Sequence, residues 1–165
     1  MSELNFFRGT PDLGTAKASR PPVVLVVEDS DEDFDTLCEV VRLSGMACAL
    51  HRAMSGDEAL LLLGVGEAAR GAIKPALVLL DLNSHGVDGR DVLLALKTYP
   101  ARERFPVVVL TTSANPHDIA DCYAAGANAY HVKPVRHDQY TATLGALLHY
   151  WLRTAVLPTT AQGAS

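Results

Sequence analysis

The chain has 165 residues, 48% of them hydrophobic and 20% charged, which is enough for one domain with a sizeable core. Its 14 basic residues are scattered and outnumbered by 19 acidic ones, for a formal net charge of -5, so nucleic acid is not expected as a direct partner. No apolar run reaches the roughly 18 residues of a membrane helix, and the start MSELNFFRGTPDLG lacks a basic segment followed by an apolar one, so a cytoplasmic protein is expected.

Residues 1–21 mix Gly, Pro, Ser and charges without apolar periodicity and read as a flexible leader ending at Pro21-Pro22. The domain is expected over 22–153, with 154–165 as a C-terminal extension. VVLVV, residues 23–27, is continuously apolar, as a strand buried on both faces should be. A helix over 31–44 follows, capped by Ser30 and closed by Gly45, with Phe34, Leu37, Cys38 and Val41 on one face. Asp31, Glu32 and Asp33 fall in its first turn, where negative charge suits the helix dipole. A second strand is predicted near 47–52, then a capping box at Ser55–Glu58 ahead of a helix carrying Ala59–Leu63. Gly64-Val65-Gly66 follows a helix and lacks a third glycine at the right spacing, so it is not a dinucleotide fingerprint.

ALVLLDLN, residues 76–83, is the predicted third strand, and a helix over 89–98 is stopped by Pro100. PVVVLTTS, residues 106–113, is the fourth strand; Asn115-Pro116 opens the next helix and Gly126 closes it. AYHV, residues 129–132, is the fifth strand, and a last helix over 137–153 carries Tyr140, Leu144, Leu147, Leu148 and Trp151 on its apolar side. This alternation predicts an α/β fold, a doubly wound parallel sheet. Cys38, Cys48 and Cys122 have no partners at metal spacing and read as packing residues.

In such a sheet the carboxyl ends of the strands converge on one edge, where ligands bind. Strand one brings Glu28 and Asp29 there, strand three Asp81, strand four Thr111 with Thr112 and Ser113, and strand five Lys133; the second strand offers nothing comparable. Carboxylates so gathered repel one another unless a cation sits among them, and Mg²⁺ with its oxygen ligands suits an open site of this kind. A lysine and a hydroxyl facing the same ion suit the remaining oxygens of a phosphoryl group.

Taken together, VVEDS, LLDLN, Asp88-Gly89, VLTTS and Lys133-Pro134 make residues 23 to about 150 similar to the receiver domain of bacterial two-component response regulators. The resemblance implies a flavodoxin-like (βα)5 fold with strand order 2-1-3-4-5. It implies Asp81 as the phosphoacceptor from a phosphohistidine on a sensor histidine kinase, and Asp29 as a direct Mg²⁺ ligand with Glu28 binding through water. Asn83 would offer its backbone carbonyl to the ion. Thr111 would be the switch hydroxyl, Lys133 the partner of a phosphoryl oxygen, and Tyr130 the aromatic that follows Thr111; the Lys133–Pro134 peptide would be cis. The chain departs from the pattern at His85, in place of a loop proline, and at Val135, in place of phenylalanine. His85 and His131 flank the expected site.

The ending YWLRTAVLP resembles the small stand-alone receivers that partner bacteriophytochrome kinases, which makes Trp151, Leu152, Val156 and Leu157 interface candidates for a homodimer. The few residues after the last helix leave no room for an output module, so the expectation is a single-domain regulator. It would act in a phosphorelay through an unknown downstream protein, or as a phosphate sink, and would catalyse only its own phosphotransfer and dephosphorylation. The competing reading, a Mg²⁺-dependent phosphohydrolase with an aspartyl-phosphate intermediate, expects a second acid where Asn83 stands. It also expects its nucleophile on the first strand.

Overall fold

Runs of Val and Leu become central strands here because both faces of each are covered by helices. The computed structural model describes residues 20–65, 72–84, 86–99 and 105–158; nearly all of the expected leader, Gly66, His85, Pro100 and residues 159–165 lie outside them. The strands β1 (Val23–Val27), β2 (Ala49–Ala53), β3 (Leu77–Leu80), β4 (Val107–Thr111) and β5 (Ala129–Val132) are all parallel. Their order is β2-β1-β3-β4-β5, the doubly wound arrangement expected. Between and after them run α1 (Asp31–Ser44), α2 (Gly56–Leu63), α3 (Gly89–Lys97), α4 (Pro116–Ala124) and α5 (His137–His149).

The two faces divide by the period of two that a strand imposes. Val24, Val26, Leu77, Leu79, Val108 and Leu110 point toward Leu37 and Val40 of α1 and toward Leu144, Leu147 and Leu148 of α5. Their alternates Leu25, Val27, Val78, Leu80, Val107 and Val109 meet α2, α3 and α4 through Ala59, Leu63, Val92, Leu93, Leu96 and Cys122. Each such side chain, buried from water, contributes about 1.5–3 kcal/mol, so the three central strands form a rigid base for the loops at their ends.

Local signals place the helix starts. Ser30 Oγ accepts from Asp33 N–H, and Ser55 Oγ from Glu58 N–H, as N-caps do. Gly45 ends α1 at φ 63°, a left-handed conformation that costs a glycine little. Some boundaries differ from those predicted. The third strand stops at Leu80 rather than 83 because Asp81 Oδ1 accepts the N–H of Asn83 at 3.0 Å, folding the chain into a turn. β2 begins at Ala49 rather than 47, and α5 gives way after His149 to a π-helical turn, Tyr150–Thr154, closed by Ala155 N–H on the Tyr150 carbonyl at 2.7 Å.

The Lys133–Pro134 peptide is trans, not cis; no described peptide bond is cis. Trans is the lower-energy isomer of an X–Pro bond where no local constraint overrides it.

Candidate functional site

The site is assembled at the carboxyl ends of β1, β3, β4 and β5. Lys133 lies just past β5, is 94% buried along its side chain, and places its ammonium among three carboxylates. It donates to Glu28 Oε2 at 2.6 Å, Asp33 Oδ2 at 2.7 Å and Asp81 Oδ2 at 2.8 Å. Burial works against the ammonium, but the hydrogen bonds to Asp33, Asp81 and Glu28 outweigh it and hold Lys133 well above the ordinary lysine range.

Glu28 and Asp81 are buried as well. Burial pushes the Glu28 carboxyl up, and the pull of Lys133 in the other direction does not cancel it. The other oxygen of Glu28 accepts the N–H of Ser30 at 2.9 Å, which ties the acid to the first turn of α1. Asp81 is held from both sides, by Asn83 N–H on Oδ1 and Lys133 on Oδ2. Asp29, the residue after Glu28, is half-buried at the same edge.

Thr111 is fully buried at the end of β4, and its hydroxyl accepts from the Asn83 side chain at 3.2 Å. The same amide nitrogen reaches Thr112 Oγ1 at 3.4 Å. Asn83 thus joins the turn at Asp81 to the threonines. Tyr130 on β5 is half-buried and donates its hydroxyl to the Ser113 carbonyl at 2.9 Å. Ser113 in turn donates to Asp118 Oδ2 on α4 at 2.6 Å, and Asp118 Oδ1 accepts from Arg90 of α3 at 2.6 Å. Arg90 also grips its own helix cap, Asp88, through Nη2 at 2.6 Å and Nε at 3.0 Å. A polar chain therefore runs from Tyr130 through Ser113 and Asp118 at the start of α4 to Arg90 and Asp88 at the start of α3.

Two residues at this edge depart from expectation. Asp33 is more than a dipole partner for α1: it stands at the third helical position, which turns its carboxylate toward the sheet edge and onto Lys133. The second strand is not silent either. Arg52 of β2 donates through Nε to the Glu28 carbonyl at 2.8 Å and through Nη1 to Asp31 at 2.6 Å, and stacks 4.9 Å from the Phe34 ring centroid. It braces the acidic loop from below. Among the flanking histidines, His85 lies outside the described residues, and His131 is half-buried on β5, where burial lowers its pKa.

Hard oxygen donors converge at this edge, with more carboxylates than the single lysine neutralises, and that chemistry fits a divalent cation such as Mg²⁺. Among the described residues no three His, Cys, Asp or Glu side chains are gathered as a ready-made metal cluster, and the Lys133 ammonium stands among the acids.

The order of these parts along the fold, acid pair, single acid, hydroxyl and lysine, meets its decisive comparison in sequence: the pattern of the response regulator receiver domain matches residues 24–144. The chain belongs to the response regulator receiver family. This receiver is 34% identical over 142 residues to the response regulator Rcp1 of Synechocystis, covering 86% of this chain and 97% of that one. The phosphorylated cyanobacterial phytochrome response regulator RcpA is 36% identical, with a TM-score of 0.78 over 84% of this chain and 99% of that one; a Mn²⁺-bound structure of Rcp1 gives the same values. Response regulator RPA3017, from red light signaling of R. palustris, is 37% identical with a TM-score of 0.74, covering 84% of this chain and 99% of that one.

At the other end of the last helix, Trp151 and Leu152 pack against the α1–α5 side of the core, and Tyr150 meets Trp151 edge-on with ring centroids 5.1 Å apart. Val156 is fully exposed, and with Trp151, Leu157 and Pro158 it borders a shallow recess against Phe105, Pro106 and Asn128. No described helix is long and apolar enough to cross a membrane.

Proposed function

We propose that this response regulator takes a phosphoryl group from a phosphohistidine of a sensor kinase onto Asp81 and passes the signal through its surface to a partner protein. The observation that carries this is the Asp81 carboxylate, pinned by Lys133 at a strand end beside the Glu28-Asp29 pair. Asp81 attacks phosphorus, its Oδ–P bond forms as the P–N bond to the histidine breaks, and the imidazole leaves with the electron pair. Lys133 is placed to meet the charge that develops on the phosphoryl oxygens, and Thr111 to follow it.

Glu28, Asp29, Asp81 and the Asn83 carbonyl would hold Mg²⁺, which supplies charge neutralisation between acceptor and phosphoryl oxygens. A phytochrome-type kinase is the partner best supported, because RcpA is a phytochrome response regulator and RPA3017 belongs to red light signaling. The cytoplasm is the compartment that suits such a kinase. The phosphohydrolase reading is not favoured: its second acid would stand at Asn83, whose amide is engaged with Thr111.

Incubation with acetyl phosphate and Mg²⁺ should give one base-labile phosphate per chain, absent when Mg²⁺ is chelated and absent in Asp81→Asn. An unlabelled wild type, or a label that survives in Asp81→Asn, contradicts the assignment. The exposed Val156 and its neighbour Leu157 are the tail residues offered for a homodimer. Light scattering should give twice the chain mass for the intact protein and the monomer mass for Val156→Asp with Leu157→Asp; a monomeric wild type removes the dimer.

A further inference from the structure

An ammonium has three N–H donors and no acceptor, and Lys133 uses all three on Glu28, Asp33 and Asp81. Two of those acids are accounted for by the receiver pattern; Asp33 is not. It is the most exposed of the three, with 30% of its side chain open to solvent, so water supports its charge, as does the positive end of α1 on which it sits. Its neighbour Asp31, 83% exposed, turns the other way and pairs with Arg52. The first turn of α1 thus presents one carboxylate to the site and another away from it.

We propose that Asp33 is a positioning residue that shares Lys133 with the acceptor, holding the ammonium in the unphosphorylated receiver and weakening its grip on a phosphoryl group once one is attached to Asp81. The inference rests on Asp81 being the acceptor. Before transfer, Asp33 and Asp81 each bring one negative charge to the ammonium, and Glu28 accepts its remaining N–H. After transfer, the group on Asp81 carries about two negative charges, while Asp33 stays on the same nitrogen. Two anions held by one ammonium repel each other, and that repulsion grows when one of them gains charge. Hydrolysis later reverses the state: water adds to phosphorus, the P–O bond to Asp81 breaks with its electrons returning to the carboxylate, and inorganic phosphate leaves. Asp33 therefore sets how strongly the phosphorylated form is favoured without touching the phosphoryl group.

The test is calorimetric titration of the full chain with beryllofluoride at saturating Mg²⁺; this anion adds one negative charge at a carboxylate, as phosphorylation does. Asp33→Asn keeps an oxygen that can accept from Lys133 and removes only the charge, so it should bind on the order of tenfold tighter than wild type. Asp33→Glu keeps the charge and should stay near wild type, as should Asp31→Asn, which removes an acid from the same helical turn without facing Lys133. A purely structural role for Asp33 would lower the melting temperature and leave the affinity where it was. Binding by Asp33→Asn that equals or falls below that of a wild type that does bind overturns the inference alone. A wild type that does not bind beryllofluoride with Mg²⁺ overturns both it and the assignment of Asp81.

Discussion

Lys133→Ala is expected to lose about 3–5 kcal/mol of folding stability at neutral pH, the range found when one partner of a buried ion pair is removed. The deletion leaves Glu28 and Asp81 buried beside each other and beside Asp33 with no cation. Burial already holds the Glu28 carboxyl above its ordinary value against the pull of Lys133, and in the variant that pull is gone, so its folded pKa rises further above the unfolded one. A carboxyl with a raised folded pKa favours the folded state at low pH and ceases to do so as pH climbs through that raised value. The variant should therefore be closest to wild type near pH 4–5 and furthest from it near pH 7–8.

In the wild type the corresponding effect lies at the alkaline end. Lys133 is held above the ordinary lysine value of about 10.4, so its stabilisation is complete below that pH and declines only as pH rises toward the higher folded value. Urea denaturation of both proteins at pH 5 and pH 7.5 measures the difference. A deficit that is the same at both pH values would mean that the three acids are not balanced by Lys133. Labelling from acetyl phosphate should fall in parallel if Lys133 stabilises the charge of the phosphoryl oxygens as proposed.

The second large effect is at a position without a side chain. A methyl group on Gly89 would stand 2.8 Å from Leu82 Cα and 2.9 Å from the Asp81 carbonyl oxygen. Both obstacles are backbone, and both belong to the turn that carries Asp81, so neither can rotate away. Gly89→Ala should cost about 2–3 kcal/mol, in the upper range for overpacking, and lower the melting temperature by roughly 5–10 °C. Because the displaced atoms adjoin Asp81, the folded fraction should also accept phosphoryl groups more slowly. The discriminating comparison is Gly126→Ala: there the methyl group meets nothing within 4 Å and the penalty comes only from the positive φ of 97°. Equal losses at the two glycines would show that Gly89 does not pack closely on the turn at Asp81.

These positions also mark what could be read from the chain before its structure. The meeting of Glu28, Asp81, Thr111 and Lys133 followed from apolar runs ending in chemistry-bearing residues, since a parallel sheet brings all such ends to one edge, whereas the strand order came from the resemblance to receiver domains. Asp33 was harder, because an acid in the first turn of a helix has a sufficient local explanation in the dipole. Only the rotation of α1 about its axis, set by Leu37 and Val40 against the sheet, turns it toward Lys133. Arg52 was hidden for a different reason: its partners are 21 and 24 residues away in sequence, and a long side chain in a strand can reach over either neighbour. The turn at Asp81–Asn83 and the π-helical turn after α5 depend on single hydrogen bonds that leave no periodic trace.

The joint made by Arg90 has a mechanical consequence. It couples the start of α3, which rests on the turn at Asp81–Asn83, to the start of α4 through Asp118, and the Arg90 and Asp118 side chains are 39% and 19% exposed. An ion pair whose arginine is this open to water is worth on the order of 1 kcal/mol and can be exchanged for hydration at modest cost. The first turn of α4 is thus attached to the sheet edge that carries Asp81 by a compliant joint, while the strands beneath are rigid. If Asp81 takes the phosphoryl group as proposed, the added charge would meet a soft direction at α4 and stiff strands everywhere else.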